Sequence, residues 1–148
     1  MGDHDHLKLE NQLCFPLYAA SREIIKKYRP FLDEIELTYT QYVAMMVLWE
    51  HERCSVKELG ECLYLDSGTL SPLLKSLEAK GFITRSRSQE DERTVMVEPT
   101  ECGMALREKA SPVPAAVGGC IDLSAEEAAT LYRLLYKLLG KSVEPTLV

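Results

Sequence analysis

LDSGTLSPLLKSLEAKGFITRSRSQEDERTVMV, running from Leu65 to Val97, reads as a helix, a tight stop and a two-stranded ribbon. Leu70, Leu73, Leu74 and Leu77 recur at helical spacing and form one apolar stripe. Asp66, Ser67 and Thr69 precede the stripe with side-chain oxygens suited to capping a helix start. Pro72 is expected near the first turn, because a proline deeper in the helix removes a hydrogen bond from the backbone ladder. Gly81 ends the helix as a C′ glycine, with Phe82 behind it as the apolar lock. Residues 83–88 then alternate in polarity, Thr94 to Val97 return as a β-rich run, and Pro99 closes it. Gln89 to Glu92 make a charged tip.

Working upstream, Val56, Leu59 and Leu63 form a shorter stripe, so a second helix precedes the capped one by a brief turn. Helix, turn, helix and ribbon is the plan of a winged helix-turn-helix, whose second helix enters the major groove of DNA. Between Ser71 and Ser88 the charges are Lys75, Lys80, Arg85 and Arg87 against Glu78 alone, with Arg93 just beyond the acidic tip. Such residues neutralise phosphates and supply most of the sequence-independent affinity for DNA. Ser67, Thr69, Ser71 and Lys75 are expected to face double-stranded DNA from the second helix. Arg93 should reach a minor groove with Asp91 orienting it, while Arg85 and Arg87 meet phosphates. A solvated helix beside an ordinary charged hairpin is the competing reading; agreement of cap, stop and ribbon weighs against it.

The 148 residues suit one domain, or one domain with dimerising extensions. A formal net charge of -6 argues against indiscriminate coating of nucleic acid and requires any basic surface to be local. No stretch is long and apolar enough to span a membrane, and acidic residues and histidines precede any apolar run, unlike a secretory leader. Five cysteines, an odd number without framework spacing, suit a reducing compartment, so a cytoplasmic protein is expected. Freed of its Met, the Gly2-Asp3-His4 start would suit Cu(II) or Ni(II), though an untethered terminus without metal is the preferred reading.

A first long helix is expected from about Leu7 to Tyr28, restarted near Pro16 and ended by Pro30. Cys14, Leu17, Ser21, Ile24 and Tyr28 share one of its stripes. Cys14 and Tyr28 are then separated by about 21 Å at ~1.5 Å per residue, so they can meet only across a two-fold axis. Thr40 is expected to cap the next helix, Gln41 to about Glu50. Cys54 opens a connection, Cys62 reads as core beside Leu59 and Leu63, and Cys102 as exposed filler in the first turn of a helix begun by Thr100. Pro112, Pro114, Gly118 and Gly119 leave the path before Cys120 open. Ser124 to Glu127 is a capping box, and Leu131, Leu134, Leu135, Leu138 and Leu139 form a wide apolar face that asks for a partner. By itself Cys14 reads as a thiol filling a helix interface.

Two stretches, LCFPLYAASREIIKKYRPFLDEIELTYTQYVAMMVLWE and YLDSGTLSPLLKSLEAKGFITRSRSQEDERTVMVEPTECG, resemble the MarR family of bacterial transcriptional regulators, and the first its organic-hydroperoxide-sensing repressors. Asp91 and Arg93 match the Asp-x-Arg signature of the family's wing. The resemblance implies a mainly α homodimer with a small β-wing: residues 7–38 and 100–140 dimerise, and residues 40–98 read operator DNA. It also implies that Cys14 is oxidised by an organic hydroperoxide, whereupon the operator is released. Tyr28 and Tyr39 of one subunit would hydrogen-bond the sensing thiolate of the other, with Tyr18 near the pocket and Phe15 among its apolar neighbours. A thiolate attacks the peroxide O–O bond and becomes a sulfenic acid. Cys120 stands near the position of a resolving cysteine, so a Cys14–Cys120 disulfide between subunits and a mixed disulfide with a small thiol are both open. The breakers at 112–119 depart from the family's long helix. No catalytic residue, metal or cofactor is implied. The rivals are a repressor released by a phenolic or acidic ligand, a thiol peroxidase, and a winged helix that binds protein; no CxxC or thioredoxin-like βαβ pattern supports the enzyme.

Overall fold

The computed structural model describes residues 2–146. Met1, Leu147 and Val148 lie outside the described residues.

The winged unit is built from α2 (Tyr39–His51), β1 (Cys54–Ser55), α3 (Val56–Leu63), α4 (Ser67–Ala79), β2 (Ile83–Arg87) and β3 (Val95–Pro99). The strands form one antiparallel sheet in the order β1-β3-β2, with Val97 opposite both Cys54 and Arg85. Leu48, Leu59, Leu70, Leu74, Leu77, Ile83 and Val97 are buried together beneath it. The leucine stripe of α4 is therefore its core face. At the helix end Gly81 takes a φ of 80°, its N–H donates to the Glu78 carbonyl and the Phe82 N–H to that of Leu77. Glycine adopts that left-handed turn without a Cβ penalty, and buried Phe82 then starts the wing.

Flanking this unit are α1 (Cys14–Asp33), α5 (Glu101–Ala110), α6 (Val113–Gly118) and α7 (Ala125–Leu138). α5 is locked to the wing's base: Trp49 Nε1 donates to the Gly103 carbonyl at 2.9 Å, and the Thr100 N–H donates to Phe82 O at 3.0 Å. Thr100 caps α5 and Ser124 caps α7 with the expected capping box. Among the described residues no helix is long and apolar enough to cross a membrane.

Several boundaries differ from expectation, each for a local reason. Short 3-10 turns at Asp5–Leu7 and Leu9–Asn11 replace the helix start at Leu7. Gln12 Nε2 donates to the carbonyls of His6 and Lys8 and ties those turns down, and α1 begins at Cys14, with Pro16 in its first turn. Pro30 does not end α1; the bond it cannot make would go to Lys26, which is exposed, so water can take that carbonyl. Thr38, not Thr40, caps α2: Gln41 N donates to Thr38 Oγ1 and Thr38 N to Gln41 Oε1. Pro72 sits in the second turn of α4, on the exposed side. Cys62 is exposed rather than core, because the buried face of α3 is carried by Leu59 and Gly60. Residues 113–118 form the short α6, with Pro112 at its N-cap, Pro114 in its first turn, and Val113 and Val117 buried.

Candidate nucleic-acid interface and thiol site

Asp66 sets the start of the recognition helix. Its Oδ1 accepts from the Thr69 N–H at 2.8 Å, and that bond holds the carboxyl below the usual carboxylate range. With Leu70, Leu73, Leu74 and Leu77 turned inward, Ser67, Thr69, Ser71 and Lys75 are all exposed on α4. The wing tip is a set of short turns. Ser88 N donates to Thr94 O at 2.8 Å, and Asp91 accepts from Arg93 N at 3.0 Å and from Thr94 Oγ1 at 3.4 Å. Asp91 thus orients Arg93 through the backbone, and Arg93 makes no ion pair among the described residues. Arg87 Nη1 donates to Glu92 O at 2.8 Å and remains exposed.

Two of the basic residues face the protein instead. Arg85 Nη2 pairs with Glu78 Oε1 at 3.1 Å, drawing that carboxyl's pKa down and tying the wing to α4. Lys80 Nζ donates to Glu36 O at 2.6 Å and to Gln41 Oε1 at 2.9 Å. The outward basic set is accordingly Lys75, Arg87 and Arg93.

Cys14 opens α1 and is exposed, as are Cys62, Cys102 and Cys120; Cys54 is buried. Cys120 Sγ donates to the Ala116 carbonyl at 3.4 Å. Beside Cys14, Phe15 and Pro16 line an open groove of about 620 Å³ with Lys8, Leu9, Glu10 and Gln12. Phe15 also approaches Tyr18, ring centroids 6.4 Å apart, and the Tyr18 hydroxyl accepts from Arg22 Nη1 at 3.2 Å. Tyr28 lies about four turns further along α1 and packs on Tyr39, centroids 4.9 Å apart. Two groups of these side chains therefore stand at opposite ends of α1: Cys14, Phe15 and Tyr18 at one end, Tyr28 and Tyr39 at the other.

Tyr42 is a third ring in the second group, 5.9 Å from Tyr28 and 6.3 Å from Tyr39. The sequence reading passed over it, although Tyr39-x-x-Tyr42 places both rings on one helix face. Burial raises the phenols of Tyr28 and Tyr39 and pushes that of Tyr42 up to about 12. All three therefore stay protonated, and able to donate, across the neutral range.

A capped recognition helix with a bare outer face, next to a wing carrying exposed arginines, defines a winged-helix DNA-binding regulator. A family model described as transcriptional regulator SarA/Rot matches residues 22–109. Over 135 residues the chain is 55% identical to the organic hydroperoxide resistance transcriptional regulator of Bacillus subtilis, covering 91% of this chain and 92% of that one. It is 42% identical to the regulator SarZ of Staphylococcus saprophyticus over 133 residues, 90% of this chain and 91% of that one. Reduced AbfR bound to DNA, a solved structure, superposes with a TM-score of 0.75 at 32% identity, covering 93% of this chain and 95% of that one. The chain belongs to the MarR-type family of winged-helix transcriptional regulators.

Proposed function

We propose that this regulator acts in the cytoplasm as a homodimer that holds operator DNA while Cys14 is reduced and releases it when an organic hydroperoxide oxidises that thiol. One observation carries the reading: 55% identity, across 91% of the chain, to a regulator named for organic hydroperoxide resistance. The two groups at the ends of α1 support it. They lie too far apart to cooperate within a chain, and an antiparallel second copy would set Cys14 of one subunit against Tyr28 and Tyr39 of the other.

The chemistry balances without a cofactor. The Cys14 sulfur attacks one peroxide oxygen, the O–O bond breaks, and the sulfur gains that oxygen as a sulfenic acid while an alcohol leaves with the remaining proton. Phe15 and the groove beside it suit an alkyl chain. The sulfenic acid then condenses with a thiol, forming an S–S bond and expelling water; Cys120 of the second subunit and a small cellular thiol are the two thiol sources, and the mass of the product separates them.

On DNA, Ser67, Thr69, Ser71 and Lys75 meet the major groove, Arg93 enters a minor groove from the wing and Arg87 meets phosphate. Arg85 serves by bracing the wing. Residues 40–98 form the reading unit, and residues 7–38 and 100–140 the dimerisation region. The test is operator binding by the reduced protein before and after cumene hydroperoxide, in wild type and Cys14→Ser. Release by wild type but not the variant is expected. Wild-type binding that ignores hydroperoxide overturns the reading and returns Cys14 to helix filler.

A further inference from the structure

For oxidation on α1 to reach the operator, some contact must make the orientation of α4 depend on that of α1 and α2. Most of the contact between these helices is apolar, formed by residues such as Met45, Leu48, Leu74 and Leu77. Apolar surfaces tolerate small sliding, whereas hydrogen bonds have narrow geometry. One buried polar side chain stands out. Gln41, only 5% exposed, is the third residue of α2 and spends every polar atom of its amide on neighbours. Its Nε2 donates to Ser76 Oγ on α4 at 2.9 Å, and its Oε1 accepts from Thr38 N at 3.0 Å and Lys80 Nζ at 2.9 Å. Lys80, at the end of α4, donates also to the carbonyl of Glu36, a non-glycine residue with φ of 58° in the turn leaving α1. Three helices therefore meet in one set of directional bonds. Tyr39, which packs on Tyr28, is two residues from Gln41 on the same first turn.

We propose that Gln41, Ser76 and Lys80 form a polar joint that transmits a displacement of the tyrosine group to the recognition helix. The proposal rests on the hydroperoxide reading above. A shift of the start of α2 by about 1 Å would take the Gln41 amide out of hydrogen-bonding range of Ser76 and Lys80. A buried amide left unpaired is costly, so α4 follows α2 instead of letting go. Ser71 and Lys75, on the outer face of the same helix, move with it. These are positioning residues: none of them faces DNA or the thiol.

Lys80→Met keeps the aliphatic stem and leaves no buried acceptor orphaned, because Gln41 Oε1 retains Thr38 N; Ser76→Ala breaks the joint from the other side. Operator Kd would be measured for each, reduced and after cumene hydroperoxide, with Cys14 oxidation quantified by mass spectrometry. Both variants should bind as reduced proteins within about threefold of wild type and oxidise Cys14 equally, yet lose at least about fivefold of the oxidised-to-reduced Kd ratio. The double variant should add little, as expected for one joint. An unchanged ratio in both variants overturns the proposal, as does parallel weakening of reduced and oxidised binding, which would mark a merely structural role. Wild type that retains the operator after complete Cys14 oxidation sinks the underlying reading, and this one with it, in an arm that needs no variant.

Discussion

Surroundings divide the five cysteines of this chain into different reagents. Cys54 lies on β1 within the sheet, where burial, with Glu58 and Cys62 nearby, pushes its thiol up to about 11. Since the thiolate is the reactive form, Cys54 should resist iodoacetamide at about pH 8 in the native protein and react only with denaturant present. Cys14, Cys62, Cys102 and Cys120, all exposed, should be alkylated without it, as peptide mass mapping would show. Native labelling of Cys54 at the rate of Cys102 would contradict its burial. The same protonation preference has a stability consequence. Cys54 and Tyr42 hold their protons to about 11 and about 12 in the folded chain, above their ordinary values. The unfolded chain releases those protons first, so above roughly pH 9 it binds fewer protons than the native state and stability falls as pH rises. Urea midpoints should accordingly be level from about pH 7 to 8.5 and decline by about pH 10.5. A midpoint that climbs over that window would have the opposite linkage. On sequence alone Cys62 reads as core and Cys54 as the opening of a connection; the structure reverses them, because β1 pairs with β3 over Cys54 while the covered face of α3 leaves Cys62 outside, and both depend on chain far away in sequence.

Within single elements, much was legible because the signals are local. The stripe, cap and stop of α4, the alternation of the wing and the capping box of α7 all rest on neighbours within about five residues, and all stand in the structure. Where two local signals competed, packing chose. Thr38 and Thr40 both offer a hydroxyl, but only Thr38 has Gln41 three residues on, and that glutamine is buried by α4. Pro30 and Pro72 run within helices because each stands on an exposed side, a fact about tertiary structure that no proline rule contains. The importance of Gly103 was invisible for the same reason. A Cβ there would lie 2.0 Å from the Phe82 carbonyl oxygen and 3.2 Å from Met45 Cε, so Gly103→Ala must push α5 off the wing's base. The expected loss is about 3 kcal/mol. Gly118→Ala is the contrast: nothing lies within 4 Å of its Cβ and it ends a short helix, so thermal denaturation should find it neutral or slightly stabilised. Removing the cap of α4 with Asp66→Ala should cost about 1 kcal/mol and weaken operator binding, since the cap fixes where Ser67 and Thr69 stand. Equal stability of the Gly103 and Gly118 variants would refute the close approach of α5 and the wing.

At the scale of the whole molecule, the single chain is visibly unfinished. Not one residue of α7 is buried, and Leu131, Leu134 and Leu138 are 41%, 53% and 71% exposed along it. The start of α1 is similar, with Leu13 84% and Tyr18 56% exposed. Contiguous apolar faces of this kind mark an interface in a soluble protein. The sequence carried that signal in its leucine stripe, and also the 21 Å problem that keeps Cys14 from Tyr28. The spacing Tyr39-x-x-Tyr42 also carried the third ring, but its approach to Tyr28 is made only once α2 packs on α1. Nor could the sequence show that two of the four basic residues near the recognition helix are engaged by acceptors of the same chain, against a net charge of -6. A dimer would double the small outward basic set, so operator affinity should depend on dimerisation more steeply than on any one arginine. Leu134→Glu tests this. It places a charge on a face that is open in the single chain, so the winged unit should keep its fold. The expected outcome is sedimentation near 16.7 kDa instead of twice that mass, unchanged secondary structure by circular dichroism, and operator binding weakened by about a hundredfold. Wild type should also melt at a temperature that rises with concentration, as association requires, and the variant should not. A wild-type chain that sediments as a monomer would remove the dimer, and with it the meeting of Cys14 and the tyrosines.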